Sequence, residues 1–215
     1  MMKFPVLRRH SGRIFLIFVV AVAAIAAGLI LSSKLLQRSQ DLRAASLYPQ
    51  VNALPEFALQ TADGDAFTRD DLEGQWSLLF FGFTNCPDIC PDTLSLLASV
   101  MEDLKLMGAK TLPQVVFVSV DPQRDRGDTL GDYVSWFNED FVGVTGEDDA
   151  LEALTSRLGI HYSQAPAPDT DDEDFYTVNH SASVMIVDPQ ARLLGLFGPP
   201  LTSQDVAADL FSLMR

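Results

Sequence analysis

The chain has 215 residues, a length that allows one domain or at most two small ones. Hydrophobic residues make up 47% of the sequence and charged residues 20%, a balance that supplies a globular core and excludes low-complexity disorder and collagen for the chain as a whole. The formal net charge is −14, from 15 basic and 29 acidic side chains.

The charge is divided unevenly along the chain. Residues 1–45 carry seven basic side chains and a single acidic one, Asp41. The remaining 170 residues hold 8 basic and 28 acidic side chains, a net charge of −20. Because an acidic body of this kind repels phosphate backbones, the composition argues against nucleic acid as a partner.

The amino-terminal region has the pattern of a membrane anchor. Residues 14–31 form an 18-residue run without a charge, and Ser32 and Ser33 extend it to 20, enough to span a bilayer as one helix. Four basic residues before the run and three after it favour a cytoplasmic amino terminus. We therefore predict a cytoplasmic basic segment over 1–13 and a single-pass transmembrane helix over 14–33. The helix would lie in the inner (cytoplasmic) membrane, with the C-terminal domain on the periplasmic or extracytoplasmic side.

Two other interpretations of this region stay open. Ala24 and Ala26 flank Ile25 in a small-x-small pattern, which is typical of the cleavage site of a signal peptide. A cleaved signal peptide would also place the acidic domain outside the cytoplasm. A helix buried in the core of the domain is the second alternative.

The rest of the chain alternates strand-like and helix-like segments. We predict a polar linker over 34–52 and one folded domain over 53–215. Continuous apolar runs predict buried strands, and a 3.6-residue apolar period predicts helices. The predicted elements are a hairpin (57–59 and 66–68), a strand (76–83), a helix (91–107), a strand (115–120), a helix (128–137, capped by Asp128), an edge strand (141–145), a helix (148–158), an acidic loop (164–175), two paired strands (183–187 and 192–197) and a helix (203–214). This alternation predicts a three-layer α/β domain.

The only two cysteines, Cys86 and Cys90, follow the first buried strand and open the next helix. A spacing of four residues would place both side chains on one helical face, roughly 5–6 Å apart at Cβ. Two thiolates at that distance can bind one metal ion or close a disulfide. The partial positive charge of the helix N-terminus is expected to lower the thiol pKa. A purely stabilising disulfide and an inert thiol pair are the alternatives, and the short loop makes the first a weak explanation.

Histidines decide which metal such a site would hold. Soft thiolate ligands select Cu(I), and an added imidazole keeps Cu(II) accessible. His180 immediately precedes a predicted buried strand, so it is the better third ligand. His161 follows Gly159 at a helix end and is expected to be a surface or packing residue.

At this point the sequence resembles a known family. The string CPDICP at 86–91 looks like the signature of the Sco (SenC) family of membrane-anchored, thioredoxin-like copper proteins. The likeness continues through FVSVDPQRD at 117–125, VGVTG at 142–146 and VNHS at 178–181. It covers roughly residues 50–214.

The resemblance implies a thioredoxin-like three-layer α/β fold behind an N-terminal transmembrane helix. It implies that Cys86, Cys90 and His180 bind one copper ion, as Cu(I) or Cu(II). The implied function is assembly of the dinuclear copper centre of cytochrome c oxidase, with that oxidase's copper-bearing subunit and a copper-donating chaperone as partners. Asn179 stands where the family often has Asp, which leaves the electrostatics around the histidine open.

Three further points follow from the motifs. The C-x-x-x-C dithiol also fits a thiol–disulfide oxidoreductase that reduces partner cysteines, so Cys86 and Cys90 are equally candidate redox residues. Asp121, Arg124 and Asp125 form either a turn with an Asp–Arg pair or a layer of support behind the metal ligands. The acidic loop over 165–175 is either solvated or a mobile gate beside His180.

Overall fold

The structure is a computed structural model that describes residues 11–40, 42–166, 176–180 and 182–215. The chain divides into two compact units, residues 1–42 and residues 43–215.

The described residues of the first unit belong almost entirely to one 30-residue helix, α1 (Ser11–Gln40). The anchor predicted over 14–33 falls inside α1. Within the residues that the structure describes, no helix combines the length and the apolarity needed to cross a membrane. The transmembrane segment therefore stays a prediction.

The second unit is built on one mixed sheet of eight strands. In spatial order the strands are β1 (Ala45–Ala53), β10 (Arg192–Phe197), β9 (Val184–Val187), β4 (Ser77–Gly82), β5 (Gln114–Ser119), β6 (Val142–Thr145), β2 (Ala58–Thr61) and β3 (Ala66–Thr68). The central strands β4, β5 and β6 are parallel, and the other neighbouring pairs are antiparallel. A separate antiparallel pair is formed by β7 (Tyr162–Pro166) and β8 (Tyr176–His180).

Four helices complete the second unit among its described residues. They are α2 (Ile89–Leu106), α3 (Asp128–Phe137), α4 (Asp148–Leu158) and α5 (Ser203–Leu213). The apolar period of α2 buries Leu94, Leu97 and Leu104, and this helix packs against α5 and α3. The mixed sheet with packed helices agrees with the α/β class predicted from the sequence.

Most predicted elements are present within two residues of their predicted bounds, but four differ. Residues 164–166, predicted as the start of the acidic loop, belong to β7 because they pair with β8. Residues 45–53 belong to β1 rather than to a polar linker over 34–52, because the strand completes the sheet beside β10. The strand at 142–145 is not an edge strand, since Gln60 and Thr61 of β2 pair with it. Gly127, not Asp128, occupies the cap position of α3.

Pairing across the sheet aligns the start of the second unit with the end of β4. Ala45 pairs with Phe197, Phe197 with Val184, and Val184 with Phe80. Ala45 is therefore level with Phe80, two residues before the end of β4 at Gly82. The chain enters this unit at the same edge of the sheet at which β4 and β5 end.

The buried carboxylate of Asp209 fixes this entry point. It is 2% exposed and accepts hydrogen bonds from the backbone N–H groups of Arg43 (2.9 and 3.0 Å), Ala44 (2.8 Å) and Ala45 (2.8 Å). Arg43 and Ala44 directly precede the edge strand β1 and Ala45 begins it, so the carboxylate on α5 supplies acceptors for amides at the start of this strand. One side chain thus joins β1 to α5.

We expect Asp209→Ala to lower the free energy of unfolding by about 1–3 kcal/mol, because three amide groups lose a charged acceptor. Chemical denaturation followed by circular dichroism measures the change. The control is Glu152→Ala, which removes an exposed carboxylate from the middle of α4. Equal stability of the two variants would show that the Asp209 hydrogen bonds contribute no net stability.

Candidate metal centre

Cys86 and Cys90 lie at the carboxyl end of β4, as the sequence predicts, but they do not share a helix. The helix α2 begins at Ile89, so Cys90 is in its first turn and Cys86 lies in the preceding loop. Pro87 explains the difference, because the residue before a proline is disfavoured in the helical conformation. The two side chains still meet, since the Cys86 and Cys90 thiols are joined by a hydrogen bond and not by a disulfide.

The Cys90 sulfur lies directly against the backbone of β4. A Cβ atom added at Gly82 would lie 2.6 Å from the Cys90 Sγ and 2.8 Å from Cε2 of Phe117. Only a glycine leaves room for both groups. The sequence signal for this contact is a glycine at the end of an otherwise continuous apolar strand, which often marks a close approach to the backbone.

Burial sets the protonation of Cys90. Burial raises the pKa of the Cys90 thiol well above its usual range, and a hydrogen bond from the backbone of Phe83 opposes this without offsetting it. The Cys86 and Asp125 side chains raise the pKa further. The expectation that the helix N-terminus lowers the thiol pKa is therefore wrong for Cys90, because desolvation outweighs the helix charge.

Asp125 supports the loop that carries Cys86. Its fully buried carboxylate accepts hydrogen bonds from the Thr84 backbone N–H (2.7 Å), the Thr84 hydroxyl (2.5 Å) and the Ser119 hydroxyl (2.6 Å). Burial raises the pKa of Asp125, while these hydrogen bonds act in the opposite direction. The carboxylate ties the loop after β4 to the end of β5, two residues before Cys86.

Asp121 and Arg124 form the predicted ion pair. Asp121 is fully buried, and the Arg124 guanidinium contacts its carboxylate and lies 5.8 Å from the centroid of the Phe83 ring. The Arg124 guanidinium therefore lies over Phe83, the first residue after β4 in the loop that carries Cys86. The Asp–Arg turn predicted for 121–125 is therefore present, while the role of this segment behind the metal ligands stays a prediction.

The backbone brings the His180 segment to the same part of the fold. His180 is the last residue of β8, where it pairs with Tyr162. The strand β8 contacts β4, and its Val178 is buried. The side chains of Asn179 and His180 lie outside what the structure describes, as does the acidic loop over 167–175. His161, just before β7, is exposed, in agreement with the surface position expected for it.

One polar group near the dithiol was not singled out from the sequence. The phenol oxygen of Tyr133 on α3 is buried and has no hydrogen-bond partner among the described residues. Burial raises the pKa of Tyr133, and the charges of Cys90, Cys86 and Asp125 raise it further. A tyrosine in an amphipathic helix usually packs in the core, so its sequence position gave no signal of this environment.

The donor set fits a soft metal ion. Over the residues with described side chains, no group of three or more His, Cys, Asp and Glu residues is arranged to hold a metal. The dithiol alone supplies two adjacent sulfur donors, and two thiolates suit Cu(I) better than harder ions. An imidazole delivered by the β8 segment would make a third donor.

Curated proteins with similar sequences share most of the second unit. A human protein named "Protein SCO1 homolog, mitochondrial" is 34% identical over 161 residues, which is 74% of this chain and 52% of the human protein. A "Putative copper-binding protein" of Stutzerimonas stutzeri is 36% identical over 155 residues, 72% of this chain and 74% of that protein. The chain thus spans about half the length of the human relative.

Solved structures share the fold as well. Arabidopsis thaliana ScoI with copper bound matches with a TM-score of 0.69 and 30% identity, over 75% of this chain and 97% of that structure. Yeast Sco1 with copper bound matches with a TM-score of 0.67 and 29% identity, over 74% of this chain and 86% of that structure. The mixed sheet with its helices is the thioredoxin-like arrangement of these neighbours. The SCO1/SenC family model matches residues 47–215, and the chain belongs to this family.

Proposed function

We propose that this protein binds one copper ion through Cys86, Cys90 and His180 and helps to assemble the dinuclear copper centre of cytochrome c oxidase. The observation that carries the proposal is the pair of adjacent thiols at the end of β4, beside the strand that ends at His180. One relative named as a putative copper-binding protein and two solved structures with copper bound support the choice of metal.

The chemistry of the three side chains accounts for both oxidation states. Two thiolates satisfy Cu(I), which accepts low coordination numbers and soft ligands. The imidazole adds a harder donor that stabilises Cu(II). Because the thiols must lose protons to bind copper, each binding event releases protons to solvent.

The proposed setting is the outer face of the inner membrane. A single transmembrane helix over 14–33 would anchor the domain, with residues 1–13 in the cytoplasm and the copper domain in the periplasm or its equivalent. The copper-bearing subunit of the oxidase is the proposed recipient, and a copper-donating chaperone is the proposed source.

A thiol–disulfide oxidoreductase is the second candidate, favoured by the unequal burial of the two cysteines. Cys86 is 9% exposed, whereas Cys90 is fully buried. Cys86 would attack a partner disulfide as thiolate, releasing one partner thiol and forming a mixed disulfide. Cys90 would then displace the second partner thiol and close the Cys86–Cys90 disulfide, so that two electrons pass to the partner.

The third ligand is tested by His180→Ala. We expect Cu(II) affinity to fall by at least about tenfold. Removing a residue that hydrogen-bonds to a metal ligand already lowers affinity about 10- to 100-fold, and removing the ligand itself should cost at least as much. The copper–sulfur charge-transfer absorption should also change. The matched control is His161→Ala, which should leave both unchanged. If the two variants behave alike, His180 is not a ligand.

The close approach at Gly82 is tested by Gly82→Ala. The new methyl group would overlap the Cys90 sulfur and the Phe117 ring, so we expect a loss of about 1–3 kcal/mol in stability and weaker Cu(I) binding. Gly198→Ala is the control, because its Cβ would lie 3.7 Å from the Leu196 Cδ1, an ordinary van der Waals contact. Cu(I) competition titration and denaturation measure the two effects. Unchanged Cu(I) affinity in Gly82→Ala would show that the position of Cys90 does not limit metal binding.

The oxidoreductase candidate is tested by trapping. Cys90→Ala should accumulate a mixed disulfide between Cys86 and an oxidised recipient domain, because the resolving thiol is absent. Cys86→Ala should not, since the remaining Cys90 thiol is fully buried. Non-reducing gel electrophoresis and mass spectrometry read the outcome. Recovery of monomer alone with Cys90→Ala, while the wild-type protein transfers copper, would remove this candidate.

A further inference from the structure

The edge of the sheet at which β4 and β5 begin, the far edge, carries most of the exposed large apolar side chains of the second unit. The helix α2 connects the end of β4 to the start of β5, and α3 connects the end of β5 to the start of β6, so both helices end at the far edge. Five large apolar side chains are exposed among the described residues of this unit. Three of them, Leu106, Met107 and Trp136, lie where α2 and α3 end. Such a concentration of apolar surface is typical of an interaction site.

Trp136 has the features of an interface anchor. Its side chain is 86% exposed, while Tyr133 and Phe137 on the same helix are partly buried and pack against each other. Asp132 lies one helical turn before Trp136, and Glu139 follows it by three residues. Both acidic side chains are exposed, and neither forms an ion pair within the described part of the chain. An exposed indole in acidic surroundings suits a partner that offers an apolar cavity with a basic rim.

A cavity of that kind lies at the same edge of this domain. It has a volume of about 410 Å³ and is enclosed by the loop after α2 and the end of α5, with Phe211 and Met214 in its wall. Lys110 and Arg215 also line it, and the Arg215 guanidinium lies 4.4 Å from the centroid of the Phe211 ring. Neither cation forms an ion pair with a described residue. The volume lies within the range of pockets that enclose small ligands, so the cavity is large enough for one indole.

The order of the helices makes the cavity and the tryptophan complementary in a pair of identical copies. The helix α2 packs against both α5 and α3, so its end, with the exposed Leu106, separates the cavity from Trp136. The charge of Asp140, after α3, acts on Lys105 in the last turn of α2, so the ends of these two helices are close together. A two-fold axis through the end of α2 would therefore place Trp136 of each copy against the cavity of the other.

We propose that two copies of this chain form a two-fold dimer in which the Trp136 indole of each copy occupies the cavity between α2 and α5 of the other. The acidic side chains beside each tryptophan then face Lys110 and Arg215, which pairs charges that are unpaired in the single chain. A second copy satisfies both features at once, whereas a different partner would need both a cavity and an aromatic side chain of its own. Because the contact lies at the far edge, it leaves Cys86 and Cys90 of both copies uncovered.

The test is the dimer dissociation constant of Trp136→Ala in the full chain, measured by sedimentation equilibrium in a density-matched detergent. We expect the constant to rise at least about 30-fold, the loss typical of a central aromatic residue in an interface. Val51→Ala, which shortens an exposed apolar side chain on β1, is the matched control and should leave the constant unchanged. A monomeric wild type would overturn the proposal. So would equal constants for Trp136→Ala and the wild type, since association through α1 alone would give that result.

Complementation of two variants tests the two-fold arrangement itself. Thr111→Trp fills the cavity from within and should also weaken the dimer. An equimolar mixture of Trp136→Ala and Thr111→Trp should associate more tightly than either variant alone, because the mixed pair keeps one indole and one open cavity. No gain on mixing would overturn the arrangement, since a non-specific apolar contact behaves in that way. If denaturation shows that Thr111→Trp is unstable, Lys110→Glu replaces it, because it places an acidic group against those beside Trp136.

Discussion

The site depends on one steric constraint, the contact of the Cys90 sulfur with the backbone of β4. At position 82, glycine is the only residue type that leaves space for both that sulfur and the Phe117 ring. The contact fixes where α2 begins relative to β4, and it buries the sulfur completely. Burial then raises the pKa of the Cys90 thiol well above its usual range. Packing and protonation of this sulfur therefore have a common cause.

The second constraint acts on the loop rather than on the sulfur. Cys86 lies outside α2, so no helical hydrogen bonds hold its segment, and a carboxylate performs that function instead. Asp125 accepts from Thr84 and Ser119 and thereby joins the ends of two parallel strands. A buried carboxylate is tolerated here because it accepts three hydrogen bonds, which offset the cost of removing its charge from water. The loop can thus present Cys86 near the surface while its base stays fixed.

Patterns in the sequence predicted those parts of the fold in which one physical effect dominates. Continuous apolar runs located β4 and β5, and the apolar period located α2, because burial alone determines these elements. Residues 45–52 looked like part of a linker because β1 is mostly exposed, and its pairing with β10 depends on partners 139–152 residues away. The cysteines were found from their motif. Tyr133 was missed because its environment arises from packing against Phe117, which no local pattern encodes.

The direction of β1 bears on how such a domain can be used. Ala45 is level with Phe80 across the sheet, and Asp209 holds the amides of Arg43 to Ala45 in place. Any segment that precedes Arg43 therefore joins the domain at the edge that carries the dithiol. The sequence suggested a linker where β1 lies. This strand instead begins at the edge of the sheet that carries the dithiol and runs away from that edge.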